Sequence, residues 1–406
     1  MPHAVPPLRA GHHLQLLEGS RAFFPALVAA IDGAHREVLL ETYIFDFTGS
    51  GAEVAYALER AGRRGVLVRV VIDGFGTPEL PPFWQMRFDE SRVQWALYSR
   101  TGAFGLLWPG QWRRLHRKLC VVDGTVGFCG GINILDDFHD PNHGTLESPR
   151  LDFSIRVEGP LVQEMLDTMR RQWNRIEAVG QLRRAHWSGA LERWRAGRSH
   201  AGAPVPPPPR QGDSNVRAAL LLRDNLRNRA VIERSYLRAI GRAREEIIIA
   251  NAYFVPGGRM RRALINAARR GVQVHLLLQG RYEYFMQYYA ARPVFGALLR
   301  AGAHIHEYAP SFLHAKVAVI DGHWSTIGSS NLDPLSLLLA REANVVVDDQ
   351  RFARRLRERL LHAMVHEGKP MDPAAYDSRS PRQRVLERLA LVVMRLLLII
   401  QGKKYL

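Results

Sequence analysis

LHRKLCVVDG at residues 115–124 and LHAKVAVIDG at residues 313–322 are two copies of one pattern, 198 positions apart and identical at six of ten places. The shared positions hold a histidine, a lysine two residues on and an aspartate five beyond that, and Arg117 is the one charged residue without a counterpart. In each copy an apolar run follows the lysine and ends at Asp-Gly, which reads as a strand running into a turn. Agreement of this length within one chain is not chance, so the fold must be read as a duplication.

Working outward, the repeat extends over most of the chain. REVLLETYIF (36–45) answers REEIIIANAYF (244–254), and RRGVLVRVVIDG (63–74) answers RRGVQVHLLLQG (269–280). Each of the second pair is a helix end capped by glycine and followed by a buried strand. Downstream, GGIN (130–133) answers GSSN (328–331), with Asn133 and Asn331 also 198 apart, and LDFSIRVEGP (151–160) answers REANVVVDDQ (341–350), which sets Asp152 opposite Glu342. Each half closes on an amphipathic helix, LVQEMLDTMRRQWNRI (161–176) and QRFARRLRERLLHAMV (350–365).

Helices alternating with apolar strands predict an α/β protein of two similar lobes. The expected boundaries are a first lobe over 1–180, a connector over 181–214, a second lobe over 215–376 and a basic, apolar tail over 377–406. The connector contains GRSHAGAPVPPPPRQGDS (197–214), whose four successive prolines mark an extended linker. Outside the repeat lie TGAFGLLWPGQW (101–112), which is aromatic and almost uncharged, and LALVVMRLLLII (389–400), interrupted only by Arg395. At roughly 1.5 Å per residue that run is too short to cross a hydrocarbon core about 30 Å thick. It reads as an interfacial anchor, the other reading of both segments being ordinary packing or an oligomer contact.

The 406 residues carry 56 Lys+Arg against 39 Asp+Glu, a net charge of +17. That balance favours an anionic partner, either nucleic acid or an anionic membrane, unless it reflects only a genome rich in arginine codons. Cys120 and Cys129 sit in apolar strand-like runs and read as core residues of a reducing compartment, with neither a disulfide framework nor a cysteine metal site. Residues 1–20 lack the basic start and apolar run of a secretory signal, so the body is expected in the cytoplasm.

Side chains alternate along a strand, so His116 and Lys118 share one face, as do His314 and Lys316, about 7 Å apart in each copy. An imidazole beside an ammonium suits phosphate, and Asn133 or Asn331 can add an amide donor to a phosphate oxygen. Displacement at a phosphodiester needs an attacker on one side and a proton donor on the other, roles that two histidines fill without a metal or other cofactor. One histidine becomes a phosphohistidine while the other protonates the leaving alcohol, then deprotonates the incoming acceptor. Asp152 and Glu342 are placed in the two halves to hold the far ring nitrogen of a histidine. Asp123 and Asp321 complete the repeated catalytic motif, and at the strand ends they are expected to secure turns or bury a charge pair.

On these residues the chain resembles the phospholipase D superfamily, whose signature is this HxKxxxxD followed by GG/GS-x-N. HLQLLEGSRAFFPALVAAI (13–31), LLETYIF (39–45), LHRK (115–118), ANAYFVPG (250–257) and GSSNLDPLSL (328–337) bring it closest to the bacterial cardiolipin synthases, the shorter type without two N-terminal membrane helices. One position departs: Ala340 stands where members often carry Asn, two residues before the second acidic residue. The resemblance implies two α/β sandwiches related by pseudo-twofold symmetry, with the active site at their interface. It implies His116 as nucleophile and His314 as general acid and base, with Lys118, Lys316, Asn133 and Asn331 on the phosphate. It implies phosphatidyl transfer from phosphatidylglycerol, or phosphatidylethanolamine, to phosphatidylglycerol, by an enzyme lying peripherally on the cytoplasmic face of the bacterial membrane.

Three other activities fit parts of the pattern. A hydrolase would use the same residues with water as acceptor. A nucleic-acid phosphodiesterase would suit the charge, but the apolar segments lack the interleaved basic and aromatic residues of a strand-binding groove, so no nucleic acid is expected. An inactive membrane scaffold would not need both motifs intact. The expected partners are an anionic phospholipid membrane and phospholipid substrates, and the sequence carries no signal for an oligomeric state.

Overall fold

The computed structural model describes residues 5–99, 113–183, 216–224, 228–281, 285–333 and 340–400. The segment 101–112 and the proline-rich stretch 197–214 lie outside these residues. The chain divides into two compact units: an N-terminal unit of Arg9–Asp136 and Ser154–Leu220, and a C-terminal unit of Met1–Leu8, Asp137–Phe153 and Leu221–Leu406.

The N-terminal unit runs β1 (His13–Glu18), α1 (Gly19–Asp32), β2 (Glu37–Thr42), α2 (Gly49–Arg63), β3 (Leu67–Asp73), α3 (Pro82–Glu90), β4 (Gln94–Tyr98), β5 (Arg114–Leu115), β6 (Leu119–Val122) and β7 (Val126–Gly130). The pair β8 (His139–Asp140) and β9 (Gly144–Thr145) follows as a separate two-stranded hairpin, and β10 (Phe153–Glu158) and α4 (Leu161–Arg183) return to the unit. Its sheet has seven strands in the order β1-β10-β7-β6-β2-β3-β4. Strands β2, β3 and β4 are parallel, because each is joined to the next through a helix, whereas β6 and β7 join directly and pair antiparallel. Val38, Leu40, Val68, Val70 and Ile72 pack beneath α1 and α2 on Leu27, Ile31, Val54 and Leu58.

After β11 (Arg217–Arg223), which spans the chain boundary between the units, the C-terminal unit repeats this course. It runs α5 (Val231–Arg242), β12 (Glu246–Asn251), α6 (Gly258–Arg269), β13 (Gln273–Gln279), α7 (Phe285–Leu299), β14 (His304–Tyr308), β15 (Lys316–Ile320), β16 (Trp324–Gly328), β17 (Ala340–Asp348) and α8 (Gln350–His362). The sheet order β17-β16-β15-β12-β13-β14 reproduces β10-β7-β6-β2-β3-β4 strand for strand. A π-helical turn (Ala363–Glu367), β18 (Gly368–Pro370), α9 (Pro373–Asp377) and α10 (Pro381–Ile400) complete the chain. Helix α8 starts where Asp349 caps the Phe352 N–H at 2.8 Å, and it buries Phe352, Ala353, Leu356 and Leu360 along one stripe.

Both motif hairpins turn on Asp-Gly in the left-handed region, with φ of 51° and 67° at Asp123 and Gly124 and 50° and 65° at Asp321 and Gly322. Two successive left-handed residues are what a tight hairpin needs to match the strand twist. The Asp123 carboxylate accepts the backbone N–H groups of His35, Arg36 and Glu37 at 2.8–3.0 Å, and Asp321 does the same for Arg244, Glu245 and Glu246 at 3.0 Å. Each aspartate thus ties the motif turn to the start of the central strand.

Two features differ from the repeat as read along the sequence. The stretch Asp137–Phe153, which the duplication assigns to the first half, packs with the C-terminal unit. Its anchor is Leu151, whose N–H donates to Phe312 O at 3.1 Å and whose carbonyl accepts from His314 N at 2.9 Å. Helix α10, within the basic, apolar tail read from the sequence, packs on the C-terminal unit along one face. Ala390 and Leu391 join the C-terminal core beside Tyr376, and buried Glu387 pairs with Arg379 at 2.6 Å, while Val385, Leu389 and Val392 stay exposed. Among the described residues no helix is long and apolar enough to cross a membrane.

Candidate active site

In the N-terminal unit His116, Arg117 and Lys118 form the short join between β5 and β6, where Arg117 pairs with Glu41 while Lys118 turns to His116 and Tyr43. Lys118 is 5% exposed, and its ammonium donates to His116 O at 2.8 Å and lies 5.3 Å from the centre of the Tyr43 ring. The same ring meets the His116 imidazole edge-on at 5.0 Å. Tyr43, just beyond β2, therefore braces both motif side chains from one aromatic surface.

Arg117 makes a buried ion pair with Glu41 at 2.7 Å. The positions that answer these two in the other half are Ala315 and Ala250, both fully buried. The behind-strand chemistry has thus diverged between the halves, whereas the histidine and lysine have not. Asn133 is buried, and its side-chain oxygen accepts Ile44 N–H at 3.2 Å, which turns the amide NH2 group away from that backbone. A donor so oriented suits a phosphate oxygen.

In the C-terminal unit Lys316 is fully buried and donates to His314 O, repeating the lysine-to-histidine link of the first motif. Asn331 is 2% exposed, and the chain beyond it is fixed where Leu332 N donates to Asn251 Oδ1 at 3.1 Å. His314 Nδ1 lies 2.6 Å from Asp152 Oδ2, and the other carboxylate oxygen accepts Phe153 N–H at 2.8 Å. This carboxylate comes from the first half of the sequence and serves the histidine of the second. With Nδ1–H committed to Asp152, Nε2 is the nitrogen that can give or take a proton. Glu342, fully buried, accepts a hydrogen bond from the Ser329 hydroxyl.

One further carboxylate meets the motif without a signal in the repeat. Asp73, fully buried at the end of β3, accepts Leu115 N–H at 2.6 Å, one residue before His116. Burial pushes its pKa up to about 6, against the pull of the Leu115 and Phe75 N–H groups and of Arg114. Among the described residues no three His, Cys, Asp or Glu side chains converge as a metal-ligand set.

Taken together, each unit carries an imidazole with an ammonium beside it and a buried asparagine downstream. Such a set can attack phosphorus, stabilise the charge on its oxygens and pass a proton to a leaving oxygen.

Comparison with known proteins agrees with this inventory. Residues 27–146 and 236–364 match the family described as cardiolipin synthase, PLD-like domain, once in each half. Cardiolipin synthase B of Escherichia coli (strain K12) is 38% identical over 353 residues, covering 87% of this chain and 80% of that protein. Cardiolipin synthase A of Pseudomonas putida is 29% identical over 395 residues, or 96% of this chain and 75% of that one. Among solved structures, phosphatidylserine synthase from Haemophilus influenzae Rd KW20 superimposes with a TM-score of 0.69 at 10% identity, covering 96% of each chain, a likeness of fold.

Proposed function

The chain belongs to the cardiolipin synthase family of phospholipase D-like proteins, and on that premise we propose that it makes cardiolipin by moving a phosphatidyl group between phospholipids. The observation that carries the reading is the repeated His-x-Lys pair, together with a carboxylate at hydrogen-bond distance from His314.

In the proposed course His116 attacks the phosphorus of phosphatidylglycerol, forming a P–N bond as the P–O bond to the terminal glycerol breaks. His314, charged and held by Asp152, gives its Nε2 proton to that oxygen, and glycerol leaves. Neutral His314 then takes the proton from a hydroxyl of a second phosphatidylglycerol. That oxygen attacks phosphorus, the P–N bond breaks, and cardiolipin and free His116 result. Lys118, Lys316, Asn133 and Asn331 stabilise the charge that builds on the phosphoryl oxygens. Phosphatidylethanolamine as donor would release ethanolamine by the same course.

The lipid substrates require a membrane surface, and helix α10 offers a means of reaching it. Its exposed Val385, Leu389, Val392 and Val393 lie among exposed Arg382, Arg384 and Arg388, an apolar stripe with basic flanks that suits anionic headgroups. We place the protein peripherally on the cytoplasmic face, where the +17 charge also favours an anionic leaflet.

The test is product identification. Purified protein with phosphatidylglycerol vesicles should yield cardiolipin and an equal amount of glycerol by mass spectrometry. Phosphatidic acid without cardiolipin would make it a hydrolase instead, and no turnover of phospholipid would remove the reading altogether.

A further inference from the structure

The loop that follows the third strand reaches the motif in both units by the same route, although the side chains that make the contacts differ. In the N-terminal unit Asp73 takes the Leu115 N–H at 2.6 Å, and Gly74 N donates to Tyr98 O at 2.7 Å. In the C-terminal unit Gln279 Oε1 takes the Leu313 N–H at 3.2 Å, and Gly280 N donates to Tyr308 O at 3.2 Å. The residues so held, Leu115 and Leu313, immediately precede His116 and His314.

A second contact is kept with its partners exchanged. The Arg114 guanidinium lies 4.6 Å from the Phe75 ring centre, and the Arg281 guanidinium lies 5.9 Å from that of Phe312. In the repeat, position 75 answers 281 and position 114 answers 312, so cation and ring have traded places. A cation over a ring persists between the same two backbone positions when neither residue type does, which points to the contact itself as the thing required.

The loop also lies close against Tyr43 on its other side. A Cβ on Gly76 would sit 2.3 Å from Tyr43 O, so only glycine permits the approach. Tyr43 is the ring that meets His116 edge-on. The loop Asp73–Gly76 thus fixes the histidine through the backbone before it and through the aromatic residue beside it.

We propose that this loop is a clamp that sets the attitude of the motif histidine in each unit, and that Asp73, through the Leu115 N–H, is a positioning residue for His116. The inference rests on the reading of His116 and His314 as the reacting groups. A carboxylate accepting N–H at 2.6 Å holds the backbone more firmly than a neutral amide at 3.2 Å, because the bond is charge-assisted. Displacement of a reacting atom by about 1 Å can cost on the order of 10²-fold in rate. The groups that face Asp73 are the Leu115 N–H, the Phe75 and Gly76 N–H groups within its own loop, and Arg114 from β5.

The test uses the whole 406-residue chain on phosphatidylglycerol vesicles, with His116→Ala alongside and cooperative melting as the check of folding. Asp73→Ala should lower kcat about 10²-fold with KM nearly unchanged, while Asp73→Asn, which keeps an acceptor oxygen for the Leu115 N–H, should restore most of that loss. Phe75→Arg and Arg114→Phe should each reduce kcat, and the double exchange, which recreates the arrangement of the other unit, should recover it. If Asp73→Ala does not fold, Asp73→Asn and the exchanged pair decide the matter. A kcat in Asp73→Asn as low as in Asp73→Ala, or a double exchange no better than the single variants combined, overturns the clamp while His116→Ala stays inactive. An active His116→Ala would instead remove the catalytic reading beneath it.

Discussion

Asp152 and His314 stand 162 residues apart in the chain, and Oδ2 of one lies 2.6 Å from Nδ1 of the other. Asp152 is 2% exposed, so its charge is little screened and favours the imidazolium that proton transfer creates. Asp152→Asn keeps the shape but removes that preference and allows the wrong tautomer. The expected loss in kcat is on the order of 10³–10⁴-fold, with lipid binding retained. Steady-state kinetics and vesicle co-sedimentation on the same preparation check both parts.

Substitution of either motif histidine should abolish turnover, because attack and proton transfer are needed in one event. Lys118→Ala and Lys316→Ala should each cost about 10²–10³-fold in kcat through lost charge stabilisation. Residual activity near the wild-type level in either histidine variant would end the two-histidine course.

The hairpin aspartates should behave differently. Burial acts to raise the pKa of Asp123 and Asp321, but the backbone N–H donors on each outweigh it and hold both below the usual carboxylate range. A pKa lowered on folding contributes stability above the unfolded value and loses it as pH falls through the folded one. Asp321→Asn should therefore lose about 1–2 kcal/mol of stability at neutral pH, with the gap to wild type closing in strong acid, and kcat per folded molecule little altered. Chemical denaturation at several pH values measures this.

Asp73 has the opposite sign. Its pKa is raised from 3.8 to about 6, so the folded protein binds that proton more tightly than the unfolded chain. This group thus favours folding increasingly as pH drops from above about 6 towards 3.8, and the ionised form costs stability at neutral pH. Comparing melting temperatures at pH 7.5 and pH 5, Asp73→Asn should lose ground to wild type at the lower value. A difference that does not change with pH would mean that Asp73 is not held as a buried anion.

The two faces of α10 should separate by substitution. Leu389→Glu, on the exposed face, should weaken flotation with anionic vesicles and leave the melting temperature in place. Leu391→Ala, which enters the core, should lower the melting temperature first.

Much of this was legible in the sequence because a duplicated pattern carries its own control. The matching strand runs around residues 39 and 248 mark the two α/β lobes, and Asp-Gly at the two strand ends marks the hairpins. The pairing of Asp152 was not legible from the motif, since strand parity says nothing about a hairpin that leaves one unit for the other. A trace of it does exist: Asn133 and Asn331 are 198 apart but Asp152 and Glu342 only 190, so eight extra residues lie between motif and carboxylate in the first half. Asp73 was hidden for another reason. Its strand-end position is plain, but the return of the chain to bring Leu115 N–H against it is a tertiary event. In α10 the apolar run was visible, yet only packing decides that Leu391 turns inward while Leu389 does not.

The hairpin between Asp137 and Phe153 makes the two repeats unequal as separable pieces. A gene cut in the proline-rich connector would encode a C-terminal fragment with its own histidine, lysine and asparagine but without the carboxylate that His314 leans on. Recombination of such halves between relatives, or a split reporter built on them, would have to carry that hairpin across the cut.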